Sequence, residues 1–344
     1  MSAQLKELLI PAVWEELKFA TSTSTESISK TTITPTSDSA QTSPPASQVA
    51  EAVTTAFIKL DHQIISSASS LLQSDKPFSQ IFSGLKVASA GSCALLALYD
   101  PHAQHLHVAC VGDSRAVLGT RFPSSGDWEA QPLSIDQTGS NTDEVNRINA
   151  EHPGEESIVK GKPARVLGIM VSRAFGDGFW KWDAELQKTL AKTYFNGLYP
   201  KMIPFEGLKT PPYLTAEPVV TTTKLDLGQG RESFLILASD GFWDHVSNEQ
   251  AVKLVRVWME SRGSGKEEVG GDKDAKVDRI DEEQWKWHDG VLIVKDENVA
   301  THLARNALGG SDEEFLRAMF AFEAPRTRNM RYVVMSRCVA YCVE

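Results

Sequence analysis

Apolar, β-prone segments joined by very short connections most constrain the fold of this chain. Residues 93–99, 105–111 and 115–120 are such segments, and only a few polar or glycine residues separate each from the next. A parallel crossover needs a dozen or more residues, so these connections predict antiparallel neighbours. Residues 219–225 and 234–239 predict a further antiparallel pair with a Gly-rich turn between them.

Helical periodicity surrounds the strand segments. Leucine and valine at helical spacing predict a helix over residues 1–20. A second helix is predicted from about Ser47, with one apolar face made of Val49, Val53, Phe57, Leu60 and Ile64. Capping patterns at residues 141–144 and 247–250 predict two further helix starts. Strands grouped in hairpins, with helices segregated from them, indicate the α+β class.

Composition divides the chain along its length. Residues 1–20 form the first helix of the domain, and residues 21–48 are mostly Ser and Thr, which predicts a disordered insertion. The main domain is predicted over residues 49–331. Within it, residues 261–283 are rich in Gly and charged side chains and predict a surface insertion. Residues 332–344 are a separate tail.

Charge and hydropathy exclude two classes of partner. The formal net charge is −10, whereas binding to a phosphate backbone needs clustered Lys and Arg, so no nucleic-acid partner is expected. No apolar run approaches the ~20 residues of a membrane-spanning helix, so no membrane span is expected. Residues 1–20 lack both the apolar stretch of a signal peptide and the acid-poor, Arg-rich pattern of a transit peptide.

Two aspartates follow apolar strand segments. Asp113 lies in a Gly-Asp-Ser-Arg turn, and Asp240 follows residues 234–239, where Gly241 permits a sharp change of direction. Carboxylates held at strand ends are suited to hard cations such as Mg²⁺ and Mn²⁺. Asp244 is predicted to support the same site as Asp240. The simpler interpretation of Asp113 and of Asp240 is a turn-forming aspartate whose side chain forms a hydrogen bond with the nearby backbone.

A third segment, SRAFGD at 172–177, carries an arginine and an aspartate. Arg173 could bind phosphate, or it could pair with Asp177 in a structural role. The structural role is favoured because no Gly-rich phosphate loop lies nearby. The motifs of P-loop nucleotide binding, of zinc proteases and of serine hydrolases do not occur in the chain.

In this order, GDSR at 112–115, SRAFGD at 172–177 and LASDGFWD at 237–244 resemble the type-2C (PPM-type) metal-dependent protein serine/threonine phosphatases. Further stretches, including TPPYLTAEP at 210–218 and ENVATHL at 297–303, are similar to the pyruvate dehydrogenase phosphatase branch of that family. The resemblance runs from about residue 49 to about residue 331. Residues 6–18 also resemble the first helix of that branch.

The resemblance implies a β-sandwich of two antiparallel sheets flanked by helices, incomplete in this chain. It implies hydrolysis of phosphoserine and phosphothreonine by water activated at a pair of Mg²⁺ or Mn²⁺ ions. Asp240 is expected to bind one of these ions, and Asp113 is expected to help hold a weaker third one. Asp244, Asp177 and Arg173 are expected in supporting roles. A phosphoprotein substrate is implied, with pyruvate dehydrogenase favoured. The implied location is mitochondrial, and otherwise cytoplasmic.

Two parts of the family pattern differ in these residues. The Asp-Gly-His-Gly-Gly turn, which carries the family's bridging aspartate and general acid, does not occur, so no catalytic residue is assigned. After Arg331 the chain reads Tyr332-Val333-Val334 in place of an Asp-Asp pair and a final strand. We expect that about two strands are missing at the start and that both differences arise from a gene-model error. The alternatives to an enzyme are a non-catalytic pseudophosphatase that binds a partner and an inactive fragment.

Overall fold

The computed structural model describes residues 1–28, 43–155, 158–195, 209–228, 231–263, 276–277, 292–314, 316–317 and 339–343. The chain divides into two compact units, which are Met1–Asp113 with Ile135–Leu225 and Ser114–Ser134 with Asp226–Glu344. Each unit contains helices and one antiparallel sheet of at least three strands. The predicted α+β class with two antiparallel sheets is therefore confirmed.

Eight helices are described, with the bounds α1 (Ser2–Ile28), α2 (Ala46–Leu72), α3 (Phe78–Ser89), α4 (Thr142–Glu151), α5 (Ala184–Thr193), α6 (Asp240–Trp243), α7 (Asn248–Gly263) and α8 (Val299–Leu308). None of the helices in the described ranges is long and apolar enough to cross a membrane.

The described strands are β1 (Gly91–Ser92), β2 (Ala94–Asp100), β3 (His105–Val111), β4 (Arg115–Arg121), β5 (Trp128–Pro132), β6 (Val159–Lys160), β7 (Arg165–Val166), β8 (Phe175–Gly176), β9 (Val219–Lys224), β10 (Ser233–Ala238), β11 (Lys276–Val277), β12 (Leu292–Ile293) and β13 (Val339–Val343).

The first unit has a three-stranded sheet in the order β2-β3-β9. Helix α2 packs against α1 and α3, and its predicted apolar face is confirmed because every one of its members is buried, namely Val49, Val53, Phe57, Leu60 and Ile64. Helix α1 contributes Leu5, Leu9 and Val13 to the same core. The strand order places β3 in the middle of this sheet, with the turn that holds Asp113 directly after it.

The second unit has a four-stranded sheet in the order β13-β10-β4-β5. Its core joins this sheet to α7 and α8 through buried side chains that include Phe234, Ile236, Leu254 and Leu303. The predicted capping box at the start of α7 is confirmed, because the Ser247 N–H donates to Gln250 Oε1 at 2.8 Å and the Gln250 N–H donates to Ser247 Oγ at 3.2 Å.

Two of the three predicted antiparallel pairs do not form, whereas β2 and β3 pair as expected, so part of the sequence prediction is corrected. β3 pairs with β2 and β9, whereas β4 pairs with β10 and β5. β9 and β10 likewise belong to different sheets. A short connection requires that the chain turn, but it does not require that the next strand enter the same ladder. At Gly112 a positive φ of 104° turns the chain out of the first sheet.

Several element boundaries also differ from the prediction. α1 runs to Ile28, past the predicted end at residue 20, because no proline or glycine follows Pro11 within it and Ser and Thr weaken a helix only slightly. The chain also forms α3 and β5, which the sequence analysis did not identify. A strand, β13, forms in the predicted tail and pairs with β10, since its Val-Ala-Tyr-Cys-Val sequence is β-prone. Most of the predicted surface insertion lies outside the described residues.

Replacing Phe57 with alanine tests the core of the first unit. Phe57 is fully buried and its ring centroid lies 5.2 Å from that of Phe175. The substitution is expected to lower the free energy of unfolding by about 3–5 kcal/mol, because it removes a ring and leaves a cavity. Ile58→Ala is the control, since that neighbouring side chain is 44% exposed, and it should cost under about 1 kcal/mol. Equal losses in urea unfolding would contradict this core assignment.

Candidate functional site

Asp113 lies in the tight turn that follows β3, in the first unit. The φ of 104° at Gly112 is a conformation that residues with a side chain rarely adopt. A Cβ at Gly112 would also overlap the sulfur of Cys93. The half-buried Asp113 carboxylate accepts a hydrogen bond from the Cys93 thiol, with 3.2 Å between Sγ and Oδ1. The residue immediately before β2 therefore contacts the carboxylate directly.

Asp240 is the first residue of α6, in the second unit, and its side chain is exposed. The buried strand β10 leads directly to it, so an apolar strand brings a carboxylate to the surface. Its Oδ1 accepts a hydrogen bond from the Gly241 N–H at 2.8 Å, which is the local turn contact expected from the simpler interpretation. Asp244 follows one turn later, and its N–H donates to the Asp240 carbonyl at 2.8 Å.

An aromatic side chain binds the backbone of β10 and of the neighbouring strand β4, close to Asp240. The indole Nε1 of Trp243 donates to the carbonyls of Arg115 and Ala238, at 3.2 Å and 3.0 Å. The Arg115 guanidinium lies 5.3 Å from the Trp243 ring centroid, a cation–π distance. The aromatic residue of the LASDGFWD motif therefore fixes the ends of β4 and β10 within the second unit.

Arg173 is buried in the first unit and pairs with Glu144. Its Nε lies 3.0 Å from each carboxylate oxygen of Glu144, and its Nη2 lies 2.7 Å from Oε1. The third donor, Nη1, reaches the Glu217 carbonyl at 2.7 Å. The arginine therefore has a structural ion pair, but the predicted partner, Asp177, was wrong. Glu144 comes from α4, a distant part of the sequence that proximity along the chain cannot indicate.

Glu144 accepts hydrogen bonds from two further side chains. Ser172 Oγ donates to Oε2 at 2.6 Å, and Arg147 Nη2 donates to the same oxygen at 2.9 Å. Burial acts to raise the pKa of Glu144, but the hydrogen bonds from Arg173, Ser172 and Arg147 outweigh it and lower the pKa to about 2. The ionised carboxylate ties α4 to the segment at 172–177.

Asp177 lies in a buried cluster with Asp61 and Lys181. Lys181 Nζ donates to Asp61 Oδ2 at 2.7 Å, and the other Asp61 oxygen accepts the Gly176 N–H at 2.8 Å. Burial raises the pKa of Asp177 to about 6, with the Lys181 ammonium opposing the shift and the Asp61 carboxylate adding to it. The motif aspartate is therefore held where its charged form is disfavoured.

Comparison with known proteins places the chain in a family. Residues 17–275, more than half of the chain, match the family model described as protein phosphatase 2C.

The chain belongs to the protein phosphatase 2C family.

Its relatives in that family include proteins with and without a named substrate. The chain is 42% identical to a protein phosphatase 2C homolog of Schizosaccharomyces pombe, over 82% of this chain and 60% of that protein. It is 35% identical to the mitochondrial [pyruvate dehydrogenase [acetyl-transferring]]-phosphatase 1 of Saccharomyces cerevisiae, over 84% of this chain and 53% of that protein. The chain thus spans between half and two thirds of the length of these relatives.

Among solved structures, the chain is similar to a serine-threonine phosphatase 2C from Toxoplasma gondii. The alignment covers 76% of this chain and 70% of that one, with 18% identity and a TM-score of 0.46.

Phosphatases of the 2C family generally depend on Mg²⁺ or Mn²⁺. The carboxylates of Asp113 and Asp240 have suitable chemistry, because these cations prefer carboxylate oxygens and retain several waters. Asp113 is half-buried and Asp240 is exposed, so both residues are at least partly open to solvent. Across the described ranges, however, no group of three or more His, Cys, Asp or Glu side chains is placed to hold an ion. These ranges therefore do not complete a coordination shell, and the ligand roles of both residues stay predictions.

Sequence reasoning missed the buried partners of the family motifs. Glu144 was assigned only to a helix start, and Asp61 was not identified. A signal for Asp61 existed, since it follows Phe57 by four residues and precedes Ile64 by three, which places a carboxylate on the apolar face of α2. Glu144 likewise precedes the buried Ile148 by four residues.

Glu144→Gln is expected to lower the unfolding free energy at neutral pH by roughly 3 kcal/mol, because a pKa lowered from 4.5 to about 2 is worth about 1.4 kcal/mol per unit. The folded-state pKa of about 2 lies below the ordinary 4.5, so this stability is present above pH 4.5 and is lost as the pH falls toward 2. Urea unfolding at a series of pH values should give a flatter acid limb for the variant.

The matched control for this variant is Glu151→Gln. Glu151 binds the same arginine, Arg147, but its side chain is 49% exposed, so the change should stay within about 0.5 kcal/mol. Equal effects of the two substitutions would show that burial of Glu144 does not set its contribution.

Asp177→Asn should change the unfolding free energy in the opposite direction to Glu144→Gln. The folded-state pKa of about 6 exceeds the ordinary 3.8, so the wild-type chain should become more stable as the pH falls from 6 to 3.8. Asn tolerates the φ of 50° at this position, and the variant should be more stable at neutral pH by roughly 2 kcal/mol. Asp183→Asn, an exposed cap of α5, should change little. A destabilised Asp177→Asn protein at neutral pH would refute the prediction.

Proposed function

We propose that this chain is the phosphatase part of a protein serine/threonine phosphatase that hydrolyses phosphoserine and phosphothreonine esters. The observation that carries the proposal is the ordered set of family motifs inside the matched region, residues 17–275. The GDSR turn follows the end of β3, and the LASDGFWD motif spans the end of β10 and all of α6. Strand ends of this kind hold polar side chains at fixed positions, which a reaction centre requires.

Asp240 would be a ligand of one of the two core cations, and Asp113 would help hold a weaker third one, with Asp244 and Asp177 in supporting roles. When bound, Mg²⁺ or Mn²⁺ lowers the pKa of a water molecule and neutralises charge on phosphoryl oxygens. Arg173 would not contact phosphate, because it is buried and each of its three nitrogens already donates to Glu144 or to the Glu217 carbonyl. Its part is to hold the motif segment in place.

Phosphorylated pyruvate dehydrogenase is the proposed substrate, and the mitochondrion is the proposed location. Both are supported by relatives from Saccharomyces cerevisiae and Homo sapiens that are named mitochondrial pyruvate dehydrogenase phosphatases, at 35% and 36% identity. The Schizosaccharomyces pombe relative, at 42% identity, is named only for the family. The substrate is therefore the part of the proposal that most needs a direct test.

Phosphate release from phosphorylated pyruvate dehydrogenase tests the proposal, with phosphorylated casein as the comparison substrate. Release should require Mn²⁺ or Mg²⁺, stop on addition of a chelator, and be faster with pyruvate dehydrogenase. Asp240→Asn should reduce both release and Mn²⁺ affinity by at least roughly 10–100-fold, because it removes a proposed ligand. Asp226→Asn, a change at a 67% exposed side chain paired with Arg231, should leave both unchanged.

The outcomes separate the parts of the proposal. Equal rates of phosphate release from both substrates would contradict pyruvate dehydrogenase as the specific substrate but would support the phosphatase activity. A folded chain that binds the phosphoprotein without releasing phosphate would contradict the enzyme and favour a non-catalytic binding role.

A further inference from the structure

A buried glutamine spans the turn that carries Asp113. The side chain of Gln137 is almost completely buried, with 2% of the residue exposed. Its Oε1 accepts a hydrogen bond from the Gly112 N–H at 2.7 Å, and its Nε2 donates to the Cys110 carbonyl at 3.0 Å. Its own backbone N–H donates to the Gly112 carbonyl at 3.0 Å. One residue thus binds the turn at three backbone positions.

These contacts use both ends of the amide in only one orientation. The Gly112 N–H needs an acceptor and the Cys110 carbonyl needs a donor, so a flipped amide would lose both bonds. A buried backbone group without a partner is costly. The turn is therefore fixed by specific hydrogen bonds as well as by the positive φ of Gly112.

The same residue connects the Asp113 turn to the segment at 172–177. The Gln137 carbonyl accepts a hydrogen bond from the Ser172 N–H at 2.9 Å. Thr138, the next residue, forms a β-bridge with Val171. Because Ser172 in turn binds Glu144, two family motifs of the first unit are held in register through Gln137.

A second residue acts on the Asp113 side chain itself. The Cys93 thiol donates to Asp113 Oδ1, and the absence of a side chain at Gly112 lets the sulfur lie close to the turn. Gln137 therefore fixes the backbone that carries Asp113, and Cys93 contacts its carboxylate.

We infer that Gln137 is a positioning residue for Asp113 and that the Cys93 thiol orients the Asp113 carboxylate toward a divalent cation. The inference rests on the proposed function, in which Asp113 is a cation ligand. A metal ligand depends on the groups that orient it, and removal of such groups typically costs roughly 10–100-fold in affinity. Neither residue is expected to touch the substrate.

Mn²⁺ binding measured by calorimetry and by electron paramagnetic resonance provides the test. Asp113→Asn defines which part of the binding depends on this carboxylate. Gln137→Met keeps the volume of the side chain and removes both hydrogen-bonding groups, and it should weaken the same binding step by roughly 10-fold or more. Cys93→Ala should weaken that step as well, whereas Cys93→Ser, which keeps a donor, should restore it.

Gln187→Met is the matched control for a purely structural effect. Gln187 is also a buried glutamine of the first unit, and its Nε2 donates to the Trp182 carbonyl at 2.7 Å, away from the Asp113 turn. It should affect thermal stability without changing Mn²⁺ binding. If Gln137→Met does not fold, the Cys93 pair still tests the orientation of the carboxylate.

Two results would overturn the inference in distinguishable ways. If the Asp113→Asn variant binds Mn²⁺ with the same affinity as the wild-type protein, Asp113 is not a ligand. The positioning role of Gln137 and Cys93 is then refuted as well. Weakened binding by Asp113→Asn, together with wild-type binding by folded Gln137→Met and Cys93→Ala, would refute the positioning role alone and leave the proposed function intact.

Discussion

The buried ion pair between Glu144 and Arg173 organises the first unit around its family motif. Arg173 places three of its donor atoms on Glu144 and on the Glu217 carbonyl, so α4, the 172–177 segment and the approach to β9 meet at one guanidinium. A buried pair of this kind costs most when one partner is removed, because the other charge is then stranded away from water. The motif arginine therefore fixes the position of the 172–177 segment relative to α4 and to the residues before β9.

The two units hold their motif aspartates by different physical means. In the first unit a chain of buried polar groups, from Glu144 through Ser172 to Gln137, reaches the turn that carries Asp113. In the second unit a single aromatic residue, Trp243, ties together the strand ends that precede Asp240. A network of directional hydrogen bonds specifies one geometry, but every buried polar group in it must have a partner. The aromatic arrangement relies on packing, with one indole N–H shared by two carbonyls.

Local signals in the sequence predicted most of the elements, whereas long-range pairing was harder to predict. The apolar stripe of α2 and the capping residues of α4 and α7 depend on neighbours within one or two turns, and they formed as expected. Sheet membership depends on which ladder a strand enters after a turn, and the length of the connection does not contain that information. For the same reason the partner of Arg173 could not be read from its own motif. The exposed position of Asp240 at the end of an apolar strand was the most predictable part of the candidate site.

Close packing between Gly91 and Asp177 has an evolutionary consequence. β1 and β8 pair at Gly91 and Gly176, and a methyl group on Gly91 would occupy the space of the Asp177 carboxylate. Position 91 cannot accept a larger residue while position 177 keeps its aspartate. A larger residue at 91 should therefore be inherited together with a smaller residue at 177, whereas a change of equal size at 177 leaves Gly91 unaffected.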